Sequence, residues 1–190
     1  MDLITGILSA FGLSASAGLN AYIPLLVIAL VSRFTDWVNL SSPWDTLENG
    51  WVIAALGALF LIEFFADKIP AVNHLNDVIQ TIVRPAAGAI AFASSAGVIT
   101  EINPAVALIL GLVVAGSVHT VKSAAVRPAV TATTGGAGNV PVSILEDLIS
   151  TFLSILAVVI PVLFAALVIV LTAWLVWWLW RRANRARLAG

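Results

Sequence analysis

Residues 131–141 read TATTGGAGNVP, a small, polar, glycine-rich stretch between two strongly apolar ones. Thr131, Thr133, Thr134 and Asn139 offer hydroxyl and amide ligands, and Gly135 and Gly136 let a ligand approach the backbone. Ser14, Ser16, Asn20 and Ser143 offer the same chemistry elsewhere in the chain. Arg84 and Arg127 each precede a proline, and a guanidinium can grip phosphate or carboxylate with two parallel N–H groups. Glu63 and Asp67 lie four apart, hence on one helical face, with Lys68 next to them. His119 and Lys122 share a face in the same way, Glu146 adjoins Asp147, and Asp77 sits in a polar run. These eight groups could carry a proton or balance an ion, and histidine titrates nearest neutrality.

The same charges have a plainer use, which is to neutralise one another. Arg127 would then pair with Glu146 or Asp147, and Lys68 or Arg84 with Asp77. Catalysis has less support. Paired-histidine metal spacing, a nucleophile elbow and a Walker-type phosphate loop are all missing, and TTGGAGN follows no strand. His119 with Glu146 or Asp147 could serve as acid and base on a lipid, but their spacing does not require it. The expectation is a protein that is not an enzyme, with no cofactor and no metal.

The chain that positions these groups has 190 residues, 61% of them hydrophobic and only 10% charged, with a mean hydropathy of +1.06. A soluble domain carries about 25% charged residues, so the composition implies a multi-pass membrane protein of one domain. The net charge of −1 gives no argument for nucleic acid. The absence of cysteine excludes disulfides and thiolate chemistry. Met1 and Asp2 begin no basic n-region, so the first apolar run is expected to remain as a membrane segment. A glycine-rich stretch cannot face hydrocarbon, where each bare amide costs several kcal/mol. Residues 131–141 must therefore sit in water or line a cavity inside the protein.

The expected fold is all-α, a polytopic helical bundle of about four to six membrane segments with broken or re-entrant helices. Residues 3–33 read as half-helices 3–13 and 21–33 around an irregular middle, or as one continuous helix. In it Gly6, Ala10, Ser14 and Gly18 form a small-residue stripe for close helix packing. Residues 34–50 form an acidic, tryptophan-flanked loop expected on the outer side, and 51–66 a short membrane segment. Residues 70–85 pattern as an amphipathic helix, at the interface or bordering a cavity, with Asn76, Asp77 and Gln80 on its polar face. Residues 86–99 are apolar but tiny, too short to span alone, and precede a turn containing Glu101. Residues 104–123 form a membrane helix, 131–147 a re-entrant or broken segment, and 148–180 a long apolar run interrupted at Pro161. Trp174, Trp177, Trp178 and Trp180 then precede Arg181, Arg182, Arg185 and Arg187, which fixes a cytoplasmic C-terminus in the inner membrane.

Lys122 and Arg127 also favour the cytoplasmic side, and a single crossing cannot put both ends there. Either residues 121–160 cross as a broken helix and return after Pro161, or 131–147 form a re-entrant dip that lets the long helix start outside. Two internal similarities accompany this. Residues 78–89 and 121–132 match at six of twelve ungapped positions, including Arg84/Arg127 and Pro85/Pro128. Residues 14–24 and 131–141 share Ala15/Ala132, Gly18/Gly135 and Pro24/Pro141.

The ordered set EFFADKIP, IVRPAAGA, VHTVKSAAVRP, TATTGGAGNVPVS and the following Glu-Asp resembles a family of bacterial multi-pass proteins known as domain of unknown function 4126. The resemblance covers nearly the whole chain. It implies a membrane protein and supports this choice of motif residues, without implying a substrate. The leading expectation is a small membrane transporter or channel with a polar site at membrane depth, for an anion or an anionic lipid headgroup. The alternative is a non-transporting scaffold or assembly factor, and a lipid-modifying enzyme ranks below both. Membrane lipids and a small anionic substrate are the expected partners, and the small-residue faces favour homo-oligomerisation.

Overall fold

The computed structural model describes residues 3–96 and 102–188. The expected turn at Glu101, and Gly97 at the end of the small apolar run, lie outside them. The described residues form seven α-helices and no strand. These are α1 (Leu3–Leu19), α2 (Tyr22–Phe34), α3 (Gly50–Ala66), α4 (Pro70–Ala96), α5 (Pro104–Val121), α6 (Arg127–Thr134) and α7 (Asn139–Leu188). A short 3-10 turn, Trp44–Glu48, lies between α2 and α3, and one π-helical segment, Lys122–Val126, joins α5 to α6.

Four expectations about boundaries change. Residues 14–19 stay helical, so the irregular middle shrinks to Asn20 and Ala21. The break sits there because the Asn20 side chain accepts from the backbone N–H groups of Tyr22 (3.1 Å) and Ile23 (3.2 Å), capping the new helix. Residues 70–85 and the described part of the next segment, 86–96, do not form separate elements. They join in α4, whose 27 residues run through Pro85 and extend roughly 40 Å at 1.5 Å per residue. Between 131 and 147 only residues 135–138 leave the helix, where Gly135 and Gly136 take positive φ values of 63° and 92°. Finally, α7 is helical from Asn139 through Pro161 to Leu188, so the described backbone makes no return after Pro161.

Side-chain contacts fix how the helices run. α1 is antiparallel to α7, because Asn20, Ser16 and Ser9 bond successively to Asp147, Ser150 with Ser154, and the Ala157 carbonyl. It is parallel to α5, because Ser14 donates to the Gly111 carbonyl (2.8 Å) and Lys122 to the Leu19 carbonyl (3.1 Å). It is antiparallel to α4, where the Phe11 and Phe92 rings meet edge to face at 5.1 Å. α1 is thus the central element, touching α4, α5 and α7. The C-terminal ends of α1, α3 and α5 and the N-terminal parts of α2, α4 and α7 gather at one end of the bundle.

The helices approach closely because small residues face each other. Gly88, Gly111 and Ala115 meet beside Ser14, and a Cβ added to Gly88 would lie 2.9 Å from the Gly111 carbonyl oxygen. A Cβ on Gly18 would lie 2.6 Å from the Ala115 carbonyl oxygen. The stripe read from Ala10, Ser14 and Gly18 is therefore a packing seam. The core is correspondingly alanine-rich, with Ala10, Ala17, Ala21, Ala91 and Ala115 fully buried.

Burial runs inside out relative to a protein folded in water. Glu63 and Arg84 are only 1% and 0% exposed, whereas Ile62 and Ile82 are 63% and 76% exposed. α4 turns Leu75, Val78, Ile79 and Ile82 outward and Asn76, Gln80 and Arg84 inward. Two helical spans, Pro104–Thr134 and Asn139–Ile160, are long and apolar enough to cross a membrane by length and composition.

The seam predicts different fates for two glycines on the same scale. Gly88→Ala should destabilise the detergent-solubilised protein by about 1–3 kcal/mol through overpacking. Gly57→Ala, whose Cβ would meet no atom within 4 Å, should be neutral or stabilising by up to about 1 kcal/mol. Thermal unfolding of both variants checks this, and equal behaviour would contradict the seam.

Candidate functional site

The polar groups gathered at one end of the bundle form a buried ionic network with Asp67 at its centre. Asp67 lies just past the end of α3, and its Oδ1 accepts from Asn76 Nδ2 at 2.6 Å. Its Oδ2 accepts from Ser143 Oγ (3.1 Å) and Arg127 Nη2 (3.4 Å), with Arg84 Nη2 at 3.7 Å and Lys122 Nζ at 3.9 Å. Glu146 Oε2 closes the group, receiving Lys122 Nζ (2.8 Å) and Arg127 Nη2 (3.0 Å). A wing just past α3 holds Lys68, which bonds Asp147 Oδ2 (3.1 Å) and the Phe64 carbonyl (2.9 Å). Its ammonium lies 3.3 Å from the centroid of the Phe64 ring. Four carboxylates, from Glu63, Asp67, Glu146 and Asp147, thus face four cations, from Lys68, Arg84, Lys122 and Arg127. A set balanced in charge is what burial demands, because an unpaired charge in a low-dielectric site costs several kcal/mol.

Local backbone features aim these groups. Lys122 and Arg127 are five residues apart, and a regular α-helix would turn them about 140° away from each other. In the π segment the Arg127 N–H bonds the Lys122 carbonyl, which brings both side chains to one side. Pro128 favours the widened turn, since its ring clashes with a carbonyl four residues earlier in a regular helix. The break at Asn20 frees carbonyls at the end of α1, and Lys122 occupies one of them, Leu19, at the negative pole of the helix.

Arg84 gives Nε (3.2 Å) and Nη2 (2.8 Å) to the same oxygen, Glu63 Oε1, and its Nη1 lies 3.2 Å from His119 Nδ1. Guanidinium only donates, so Nδ1 of His119 accepts and the proton sits on Nε2. Nε2–H then donates to Thr81 Oγ1 (3.2 Å), whose hydroxyl donates to the Asp77 carbonyl (2.9 Å). His119 is in this way locked as one neutral tautomer.

A cavity of about 980 Å³ opens beside the network, lined by residues of the α3 end, α4, the π segment, α6 and the start of α7. Its polar wall is Asp67, Lys68, Asp77, Ser123, Arg127, Thr131 and Asn139, and Gly135 and Gly136 border it. Arg127 is 94% buried, as its exposure is 6%. Its Nη2 serves Asp67 and Glu146, while among the described residues nothing accepts from Nε or Nη1. Asp77 Oδ1 in the same wall is likewise buried without a donor.

The residues singled out in the sequence therefore divide. Arg127, Thr131, Gly135, Gly136, Asn139, Asp67, Lys68 and Asp77 border one cavity. Glu63, Arg84, His119, Lys122, Glu146, Asp147 and Ser143 belong to the network behind it. Thr133 and Thr134 lie outside the wall and bond to carbonyls of their own helix. Ser14, Ser16 and Asn20 serve helix contacts, so the 14–20 stretch meets α7 at Asp147, Ser150 and Ser154 and not at residues 131–141. Arg84 is far from Asp77 in function: its fork is spent on Glu63, and Lys68 pairs with Asp147. The two Arg-Pro arginines converge on a single carboxylate, Asp67.

Asn76, Gln80, Thr81, Ser150 and Ser154 were not among the candidates, yet all five contribute polar groups here or at the α1–α7 contact. Their signal was present as spacing. Ser143, Asp147, Ser150 and Ser154 repeat at the three-and-four interval that marks one helical face.

A family model described as a domain of unknown function, DUF4126, matches residues 7–182. No curated protein and no solved structure matches the chain.

Two measurements test the network. Glu63→Leu leaves Arg84 buried without its main partner and should cost about 3–5 kcal/mol, with part regained on adding Arg84→Leu. Denaturant titration in mixed micelles reads both, and a loss below about 1 kcal/mol for the single variant would contradict the pairing. Nitrogen NMR of histidine-labelled protein, with His74→Gln to isolate the second of the two histidines, should show His119 as the Nε2–H tautomer. A charged or Nδ1–H ring would contradict the assignment.

Proposed function

The chain belongs to the family of domain of unknown function 4126, and we propose that this member is a polytopic membrane transporter or channel for a small oxyanion, free or carried on a lipid headgroup. The observation that carries this reading is Arg127. It is a buried cation in a cavity wall, with three of its five N–H groups lacking an acceptor among the described residues. A buried donor left unmade costs about 1–3 kcal/mol, so a structural arginine would be expected to use them. Ser123, Thr131 and Asn139 line the same wall, where Ser123 bonds the Thr120 carbonyl and Thr131 and Asn139 bond each other, so an oxyanion would draw on neutral donors that exchange these weak local bonds for it.

The surface supports a lipid environment. Leu61, Ile62, Phe65, Leu75, Val78 and Ile82 are all more than half exposed, a patch too large to leave in water. The network cations are already neutralised by carboxylates, so sidedness rests on the arginine run after residue 180, which places the C-terminus in the cytoplasm. Gly135 and Gly136, with their positive φ values, provide a hinge at which α6 can move against α7. In this mechanism the ligand supplies the acceptors that Arg127 Nε or Nη1 lacks, once the side chain turns to it, while Asp67 and Glu146 keep hold of Nη2, and the hinge exposes the cavity to either side.

The reading is tested by thermal unfolding of the full chain in detergent with inorganic phosphate, carboxylates and isoprenoid and phospholipid phosphates. An oxyanion should stabilise the wild type by about 2–3 kcal/mol at a hundredfold excess over its dissociation constant. The effect should vanish in Arg127→Gln and weaken in Thr131→Val, and the same compound should show flux in proteoliposomes. If no oxyanion shifts the wild type, the scaffold reading takes its place. A shift that Arg127→Gln leaves intact moves the site elsewhere.

A further inference from the structure

The wall of the cavity holds both signs of charge, and this narrows the ligand. Four charged side chains line it: Asp67, Lys68, Asp77 and Arg127. Two of these are spent inside the protein. Asp67 receives Asn76, Ser143 and Arg127 and lies within 4 Å of Arg84 and Lys122. Lys68 is held by Asp147 and the Phe64 carbonyl. The remaining two are unfinished: Arg127 has Nε and Nη1 without acceptors, and Asp77 has Oδ1 without a donor. They stand on different helices, α6 and α4, in the wall of the same cavity, and neither satisfies the other. A ligand that is only an anion would answer Arg127 and leave Asp77 opposed by like charge. A ligand that is only a cation would do the reverse.

We infer that the cavity takes a zwitterion, a phosphate joined to an ammonium by a short linker, with the phosphate on Arg127 and the ammonium on Asp77. The inference rests on the oxyanion reading above and names the substrate class of that site. Phosphate suits this wall because one of its oxygens can take the free Nη1 edge of Arg127 while others reach the Ser123 and Thr131 hydroxyls, which exchange their bonds to the Thr120 carbonyl and Asn139 for it. Such an array serves a tetrahedral group with several acceptor oxygens better than a planar carboxylate. The remaining wall is apolar, with Pro128, Ala132, Ala137 and Val140. A volume of about 980 Å³ exceeds a bare headgroup and admits attached carbon chain. Both free polar groups lie within the wall, so the ligand engages them once the side chains turn toward it. The same chemistry occurs free and at the end of a phospholipid, and the test has an arm for each.

The full chain is purified in detergent, and binding is measured by calorimetry for phosphoethanolamine, glycerol 3-phosphate, inorganic phosphate and ethanolamine. A second arm uses short-chain phosphatidylethanolamine and phosphatidylglycerol. The wild type should bind the ammonium-bearing member of a pair about tenfold or more tightly than its partner without it. Preference in the first arm assigns a free substrate, and preference confined to the second assigns a lipid headgroup. Asp77→Asn, which removes no hydrogen bond made by that side chain among the described residues, should keep the melting temperature and reduce the preference to about twofold or less. Equal binding of both members in the wild type would overturn the zwitterion while leaving the oxyanion reading in place. A preference undiminished in Asp77→Asn would also overturn it. Absence of binding by every compound would overturn both readings together.

Discussion

The carboxylate of Asp67 is the point on which the structure depends. Arg84, Lys122 and Arg127 approach one of its oxygens from three parts of the chain, α4, the π segment and α6. Ser143 of α7 bonds the same oxygen and Asn76 of α4 the other. Its position past the end of α3 ties five elements to one another through a group that is 3% exposed. The network earns little net stability by existing, because desolvating each ion offsets most of the Coulomb attraction. Its force lies in the penalty for misplacing any member. A helix that shifts by one turn strands a charge in an apolar interior, and that penalty specifies register among helices whose packing faces are nearly uniform alanine and glycine.

Those small residues make the network possible. Alanine and glycine seams carry little shape information and have few rotamers to lose, and they let α1 approach α5 and α7 closely enough for serine hydroxyls to reach neighbouring carbonyls. Leu13, Ile28 and Phe92 fill the core, while many other large apolar side chains, Ile62, Phe65 and Ile82 among them, are left for the outside.

Arg127 belongs to two systems at once. Nη2 completes the network, and the other edges of the guanidinium face a wall that offers nothing to accept them. Arg84, the matching arginine of the other Arg-Pro pair, spends the corresponding donors on Glu63 and His119. The contrast shows what a fully structural arginine looks like in this fold, and Arg127, in the cavity wall, departs from it by two nitrogens that lack acceptors among the described residues.

Much of this was legible in the sequence. Composition gave an all-helical, apolar chain, the four-residue stripe through Ala10, Ser14 and Gly18 gave the packing seam, and Arg127 with Glu146 was named as a candidate pair. Side-chain periodicity is local, so it survives in the sequence and could be read there. The sequence misjudged where helices stop. Pro85 was expected to mark a boundary and does not, while Asn20 does, because its side chain replaces the hydrogen bonds that the break removes. Which partner each charge takes was decided only by tertiary structure. Glu63 and Arg84 are 21 residues apart and Lys68 and Asp147 are 79 apart, and no periodicity connects such separations. Electrostatic pairing depends on distance in space, and only the packing of α1 against α4, α5 and α7 sets that distance.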